Sequence, residues 1–279
     1  IPVQDINRVN SNEGTSMLVG PELRTIFLGM NQSEPELKSS NIKGKNPFAD
    51  VRVREAVYRA IDIEAIKSKV MRNLADPTGI MISPKLVDES AWQERLSFDV
   101  DKAKALMADA GYSDGFSLTM DCPNNRYVND EKICTAVVGM LAKIGIKVNL
   151  LAQPRANYFA KVLGPKYDTD FYMLGWTPGS FDSWNVLHNL ISCRDESGAG
   201  KFNLGGYCNQ RVTELTTMIL SETDIAKRNA MIAEAFALVH EERGYIPLHQ
   251  QGLAWGKADK VELAQRADNQ FMLYYVNVK

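Results

Sequence analysis

Aromatic and polar side chains that could bind a small ligand are concentrated in residues 176–185, directly after an apolar run that predicts a strand. In α/β sheets, loops that leave the carboxyl ends of strands line ligand crevices. The indole rings of Trp176 and Trp184, beside the carboxylate of Asp182 and the amide of Asn185, suit a polar ligand with flat or apolar parts. The alternative is that both Trp rings are core anchors and Asp182 merely caps the next helix. The residues alone favour neither interpretation.

A second candidate is Arg126, which lies between a predicted strand end and a predicted helix start in residues 122–130. A guanidinium at such a junction can form a bidentate pair with a ligand carboxylate. The alternative is a surface arginine beside Asp130 and Glu131. No metal site is expected, because the three histidines share no short ligand spacing with one another or with a cysteine.

Four cysteines allow three pairings if all are oxidised. Cys193 and Cys208 are 15 positions apart, and a disulfide closing that loop would add about 3 kcal/mol of stability in the chain-entropy model. The alternative is two reduced, buried thiols, and an exported protein would favour the bridge. A Cys122–Cys134 pair also remains open, although a cysteine within a helix restricts the geometry.

Composition and motifs exclude several classes of function. The net charge of −2 and the lack of a Lys/Arg block argue against a nucleic-acid partner. The sequence contains no G-x-S-x-G, Walker A or H-E-x-x-H motif, so we expect neither an enzyme nor a cofactor.

Alternating helical and strand periodicity indicates an α/β or α+β protein whose helices cover a mixed sheet. Residues 116–120, 133–144 and 146–150 read as strand, helix and strand, which predicts a crossover between parallel strands. Asp50, Asp62 and Asp99 stand where helix N-caps are needed. Helices are also predicted over 182–190, 210–220 and 224–241, and strands over 23–30, 170–175, 244–249 and 271–276.

Taken in order, these segments resemble the family 5 extracellular solute-binding proteins, which serve peptide and nickel importers. The most specific match is N-P-F-x-D-x-R-V-R-x-A over residues 46–56, followed by A-I-D over residues 60–62. A second match, D-x-x-K-A-K-x-L followed by A-G-Y, covers residues 99–112. Shorter matches follow in family order at residues 174–176, 190–193, 206–209 and 246–249.

The resemblance implies a periplasmic-binding-protein-like type II fold, of which this chain is the C-terminal part. Residues 1–30 would then be the end of the first lobe and a hinge strand, and residues 31–248 the second lobe. Residues 249–279 would return to the first lobe. The first six residues lack Met and the apolar core of a signal peptide, so we expect a processed or truncated start in an exported, periplasmic protein.

The resemblance also implies a monomeric, substrate-binding component of an ABC importer, which binds a small peptide or peptide-like solute and delivers it to a permease. Arg126 lies near the carboxylate-binding arginine of dipeptide-binding relatives, and Gln250 is a further expected ligand contact at a lobe crossing. The expected amine-binding position falls on Gly179, so Asp182 is the candidate replacement. The alternatives are an interaction domain or fragment without a ligand, and a binder of nickel chelates or other polar solutes.

Overall fold

The strands of the chain form one large mixed sheet and a small two-stranded ribbon. The computed structural model describes residues 1–164 and 167–279. The strands are β1 (Thr15–Met30), β2 (Ala75–Pro77), β3 (Phe116–Pro123), β4 (Ile146–Gln153), β5 (Phe171–Trp176), β6 (Ile246–Ala258), β7 (Val261–Glu262) and β8 (Asn277–Val278).

The order of strands in the large sheet is β2-β6-β1-β5-β3-β4 within the described residues. β3 runs parallel to both β4 and β5, whereas β1 runs antiparallel to β5 and β6. The helix between β3 and β4 therefore makes the crossover that the sequence predicts, and the mixed α/β class is confirmed. Because β3 and β5 are parallel neighbours, the loops that follow them leave the same edge of the sheet.

Helices cover the sheet, and their starts follow the predicted caps. The carboxylates of Asp50, Asp62 and Asp99 each accept a hydrogen bond from a backbone N–H in the first turn. This satisfies donors that a helix start otherwise leaves unpaired. The helices are α1 (Ile6–Asn10), α2 (Val51–Ala60), α3 (Ile63–Ala65), α4 (Val100–Asp109), α5 (Asp130–Ala142), α6 (Arg155–Val162), α7 (Ser183–Val186), α8 (Gln210–Ser221) and α9 (Ile225–Glu241).

In the described part of the chain, two helices continue as single π-helical turns. α3 runs into Ile66–Val70, and α7 runs into Leu187–Ile191. The helix predicted over 182–190 therefore exists, but its second half is π-helical. The helices predicted over 210–220 and 224–241 are confirmed as α8 and α9 to within one residue at each end.

Alternate residues of the central strands feed two hydrophobic cores, one on each face of the sheet. On β1, Ile26 and Leu28 pack into one core and Phe27 into the other. On β5, Met173 and Leu174 divide in the same way. Successive side chains of a strand point to opposite faces, so a central strand with both faces covered is apolar at nearly every position.

The strand predicted over residues 271–276 is wrong. A 3-10 turn occupies Leu273–Tyr275, and the adjacent β8 is a two-residue strand paired with β7. The side chain of Leu273 is 75% exposed. An apolar alternating run becomes a strand when a neighbouring strand can take its backbone hydrogen bonds, and within the described residues no strand of the large sheet pairs with this run.

Candidate ligand-binding groove

The loop after β3, which carries Arg126, is fixed at both ends. The Asp130 carboxylate accepts hydrogen bonds from the backbone N–H groups of Arg126 and Tyr127, at 2.7 and 3.0 Å. A Cys122–Cys134 disulfide joins the end of β3 to α5, with the Cα atoms 6.6 Å apart. This pairing, which the sequence left open, fits because Cys134 lies in the second turn of α5, beside the strand end. The backbone under Arg126 is therefore ordered independently of a ligand.

The guanidinium of Arg126 lies among other positive charges and beside an aromatic ring. It is 5.0 Å from the ring centroid of Tyr127, and the Arg24 guanidinium is 5.6 Å from the same centroid. Burial lowers the pKa of Arg126, and Arg24 and Arg155 add to this shift by charge repulsion, whereas Tyr127 and Glu22 oppose it. None of the ion pairs within residues 1–164 and 167–279 includes Arg126. A charge of this kind is available to a ligand.

Tyr127 reaches across to the neighbouring strand. Its hydroxyl donates to the carbonyl of Gly175 at 3.3 Å, near the end of β5. A Cβ atom at position 175 would lie 2.8 Å from the Tyr127 ring, closer than side chains pack. Glycine therefore lets the ring lie against β5, which brings the loop carrying Arg126 next to Trp176.

Trp176 forms the aromatic wall of the site. Its indole Nε1 donates to the Asn185 side-chain oxygen at 2.9 Å, and its ring packs 4.8 Å from that of Phe202, centroid to centroid. The segment that carries Phe202 is closed by the predicted Cys193–Cys208 disulfide, which the structure confirms. Both rings are thus held in position by bonds outside the groove, and Asn185 acts on Trp176 rather than pointing into the groove.

Asp182 and Trp184 are engaged with neighbours of their own. The Asp182 carboxylate accepts from the backbone N–H of Trp184 at 2.8 Å and forms an ion pair with Arg228, also at 2.8 Å. The Trp184 ring stacks on His188, with 4.6 Å between centroids. The Asp182 carboxylate is therefore bonded within the protein, and the Trp184 ring is packed on a neighbouring ring.

Gln250 lies on the opposite face of β6 from the groove. Its side-chain amide donates to the hydroxyl of Thr25 and to the carbonyl of Ile82, at 2.9 and 3.1 Å. The next residue, Gln251, lines the groove, where its side-chain oxygen accepts from the backbone N–H of Val128 at 3.0 Å. Adjacent residues of a strand face opposite sides of the sheet. The groove is therefore lined by Gln251 and not by Gln250, one position earlier on β6.

The loop after β3 borders two adjoining concavities. One, of about 780 Å³, is lined by the loop after β3, by Gln251 and by other residues of β6. The second, of about 440 Å³, lies between that loop and the aromatic wall formed by Trp176 and Phe202. Arg24, Arg126 and Tyr127 border both. We call the two together the groove; volumes of this size suit a small organic ligand.

Several groove residues have no sequence motif that would have singled them out. Arg24, Tyr127, Arg155, Phe202 and Gln251 all line it. Arg24 lies on β1 and Arg155 begins α6, so they reach the same pocket through the tertiary fold. For Gln251, strand alternation shows that neighbouring residues of β6 lie on opposite faces. It does not show which face lines the groove.

Two further observations concern a metal site and a membrane-spanning helix. Across the described ranges, no group of three or more His, Cys, Asp or Glu side chains is arranged to hold a metal ion. No helix in the part of the chain that the structure describes has the length and apolar character to cross a membrane.

A comparison with protein families gives a match over residues 1–198 to bacterial extracellular solute-binding proteins, family 5 Middle. This chain belongs to that family. Family 5 solute-binding proteins are non-enzymatic transport components that bind peptides or small solutes and work with ABC transporter permeases. The resemblance drawn from the sequence motifs is therefore confirmed.

Curated relatives within the family carry different ligands in their names. The chain is 24% identical over 251 residues to the glutathione-binding protein GsiB of Salmonella choleraesuis, covering 89% of this chain and 46% of that protein. It is 27% identical over 261 residues to the probable deoxycholate-binding periplasmic protein YgiS of Escherichia coli, covering 91% and 45%. The chain thus spans about half the length of the curated relatives it matches.

Solved family 5 structures share the fold. The periplasmic binding protein DppA of Helicobacter pylori, in complex with the peptide STSA, superposes with a TM-score of 0.85 at 20% identity. The match covers 99% of this chain and 51% of DppA. The fold is therefore that of the type II periplasmic binding proteins, with its mixed sheet covered by helices.

Proposed function

We propose that this chain supplies the ligand-binding groove of a substrate-binding component of an ABC importer. In this proposal the groove holds a small peptide or peptide-like solute, and Arg126 binds its carboxylate. The protein acts as a periplasmic monomer and delivers the solute to a membrane permease. The observation that carries the proposal is an unpaired, partly desolvated guanidinium facing a preformed groove.

The groove favours a carrier over an interaction domain without a ligand. In an interaction domain without a ligand, the candidate residues would be scattered or fully buried. Here Arg126 and Trp176 border the same 440 Å³ pocket, so a positive charge and an aromatic ring line one concavity. Peptide-like molecules combine these features, since they carry a carboxylate close to apolar side chains.

We further propose that Asp182, Trp184 and Asn185 support the ligand contacts from behind. Asp182 pairs with Arg228, Trp184 stacks on His188, and Asn185 orients Trp176. Gln250 would fix β6 against β1, while Gln251, whose amide is bonded to Val128 and Glu22, would form part of the groove lining. An amine-binding carboxylate at Asp182 would require its ion pair with Arg228 to open.

The proposal assigns residues 31–248 to one lobe, with residues 1–30 and 249–279 linking it to a second lobe. β1 and β6 pair from Thr15↔Ala258 to Leu28↔Ile246, and this long antiparallel pair is the proposed crossing between lobes. The ligand would then be enclosed when the lobes close about that crossing.

The test is the thermal midpoint of the full-length protein that contains this chain, measured against dipeptides, tripeptides, amino-acid conjugates and nickel. A ligand at a hundred times its dissociation constant adds about 2.7 kcal/mol of stability. We expect a rise with one class of carboxylate-bearing ligand, lost in Arg126→Gln and kept in the surface control Arg211→Gln. A folded protein with no rise across the panel would reject the peptide assignment.

A further inference from the structure

The pocket beside Trp176 contains more positive charge than one ligand carboxylate requires. Arg24, Arg126 and Arg155 all line it, and no Asp or Glu of the described residues does. Arg24 is partly neutralised by Glu22, whose buried carboxylate lies 3.1 Å away. Three guanidiniums against one nearby carboxylate leave two positive charges at the pocket.

Arg155 is held close to Arg126 through the backbone. The side-chain oxygen of Asn125, in the loop after β3, accepts a hydrogen bond from the backbone N–H of Arg155 at 2.7 Å. This bond ties the start of α6 to the residue next to Arg126. The repulsion between the two guanidiniums lowers the pKa of Arg126, after the larger effect of burial, so the two charges are close enough to interact.

Like charges that outnumber their counter-charges are unfavourable in an empty site and favour a ligand that neutralises them. Arg155 belongs to none of the ion pairs found within the described ranges, and its side chain is exposed, so it can turn to a bound anion. Guanidiniums bind carboxylates in bidentate geometry, which needs one arginine for each carboxylate. The pair Arg126 and Arg155 can therefore accommodate two.

Most of the remaining side chains of the same pocket are apolar: Phe159, Leu163, Leu174, Trp176 and Phe202. Tyr127 and Thr177 also line it. A free inorganic anion would leave this wall in contact with water, whereas a side chain beside the charges would cover it. Burial of that surface contributes about 25 cal/mol per Å².

We propose that the pocket selects a peptide-like ligand with two carboxylates at one end and an apolar or aromatic side chain next to them. A peptide ending in Phe-Glu has this form. Arg126 binds one carboxylate and Arg155 the other, while Trp176 and Phe202 cover the aromatic ring. The inference rests on the proposed function and specifies the class of solute.

The experiment is calorimetric titration of the full-length protein with Ala-Phe-Glu and Ala-Phe-Gln, which differ by one charge at nearly equal shape. We expect Ala-Phe-Glu to bind about tenfold more tightly at low salt, which is the size of one well-placed charge contact. In Arg155→Gln the ratio falls to about one, while the affinity for Ala-Phe-Gln stays within about twofold. Arg155→Lys keeps part of the preference, and Arg211→Gln, an equal change in net charge on α8, keeps all of it.

The outcomes separate this inference from the proposed function. If both peptides bind equally and both need Arg126, the carrier function stands and the selection for two carboxylates is overturned. The same holds if neither binds while another peptide of the panel does. If millimolar inorganic phosphate displaces Ala-Phe-Glu as well as a peptide does, the site recognises simple anions and the peptide class is wrong.

Discussion

The loops that follow β3 and β5 leave the same edge of the sheet but use their polar side chains differently. In the loop after β3, the backbone is tied down by Asp130 and the Cys122–Cys134 disulfide, and the charge of Arg126 remains unpaired. In the loop after β5, Asp182 is bonded to Arg228 and to a backbone N–H. Its carboxylate helps to build the wall instead of meeting a ligand.

This difference teaches that a loop presents a charge best when other groups hold its shape. Loop backbone needs partners for its N–H groups wherever it leaves solvent. After β3 the Asp130 carboxylate accepts from two of these N–H groups, and the Cys122–Cys134 disulfide links the loop to α5 covalently, which leaves Arg126 for binding. After β5, Asp182 itself meets this need. The following predictions test this division, beginning with the largest expected effect.

Replacing both Cys122 and Cys134 by Ala should lower the free energy of unfolding by about 3 kcal/mol, because the unfolded chain regains the entropy of the open loop. Loosening the loop under Arg126 should also weaken ligand binding. Urea denaturation and calorimetry measure the two effects. The matched control, Ala at Cys193 and Cys208, should lower stability similarly but weaken mainly ligands with an aromatic group, through Phe202. Equal losses of affinity in both variants, for ligands with and without an aromatic group, would contradict separate roles for the two disulfides.

Arg126→Gln should weaken binding of a carboxylate-bearing ligand about 30-fold, which corresponds to about 2 kcal/mol for a charged hydrogen-bonded pair. Stability without ligand should stay the same or rise slightly, because the variant removes repulsion from Arg24 and Arg155. Calorimetric titration measures the affinity, and thermal unfolding of the protein without ligand measures the stability. A variant that unfolds more easily while binding normally would show that Arg126 is a structural residue.

Asp182→Asn should lower the free energy of unfolding by about 1 kcal/mol and change affinity less than about threefold. Asn still caps α7, so the loss is that of the ion pair with Arg228, whose side chains are 35% and 26% exposed. Arg228→Gln should give the same result, and the double variant should show the coupling. Loss of binding to peptides with a free amine, but not to acetylated ones, would make Asp182 the amine anchor after all.

Asn185→Ala should cost at most about 1 kcal/mol, since it frees one hydrogen bond from the Trp176 indole and breaks no ion pair. The ring should become more mobile and the affinity for aromatic ligands should fall by about threefold or less. Calorimetry with an aromatic and an aliphatic peptide measures the difference. Equal losses for both peptides would mean that Trp176 does not contact the ligand side chain.

Much of the fold could be predicted because its signals are local. The caps at Asp50 and Asp99, the crossover from β3 to β4 and the bounds of α8 and α9 follow from periodicity and capping within short windows. The strand predicted over 271–276 was wrong because an apolar run needs a neighbouring strand, and no local pattern reports that neighbour.

In the candidate site, too, the residues with a local sequence signal could be predicted and the others could not. From the sequence, Arg126 and Trp176 could be picked out by residue type and by their place after strands, and both line the groove. Gln250 was chosen where its neighbour Gln251 faces the groove, since alternation alone leaves the face undecided. Arg24 and Phe202 reach the site from distant segments and carry no signal of their own.

By itself, the sequence determined the class of fold, the family and the residues whose chemistry suits a carboxylate and an aromatic group. These depend on motif order, periodicity and side-chain type, which are properties of short segments. The tertiary structure alone decided which of those groups are already paired. It bonded Asp182 to Arg228, left Arg126 unpaired and placed Arg155 beside it. A charge becomes available for binding through the absence of a partner in space, and partners distant in the chain meet only once it is folded.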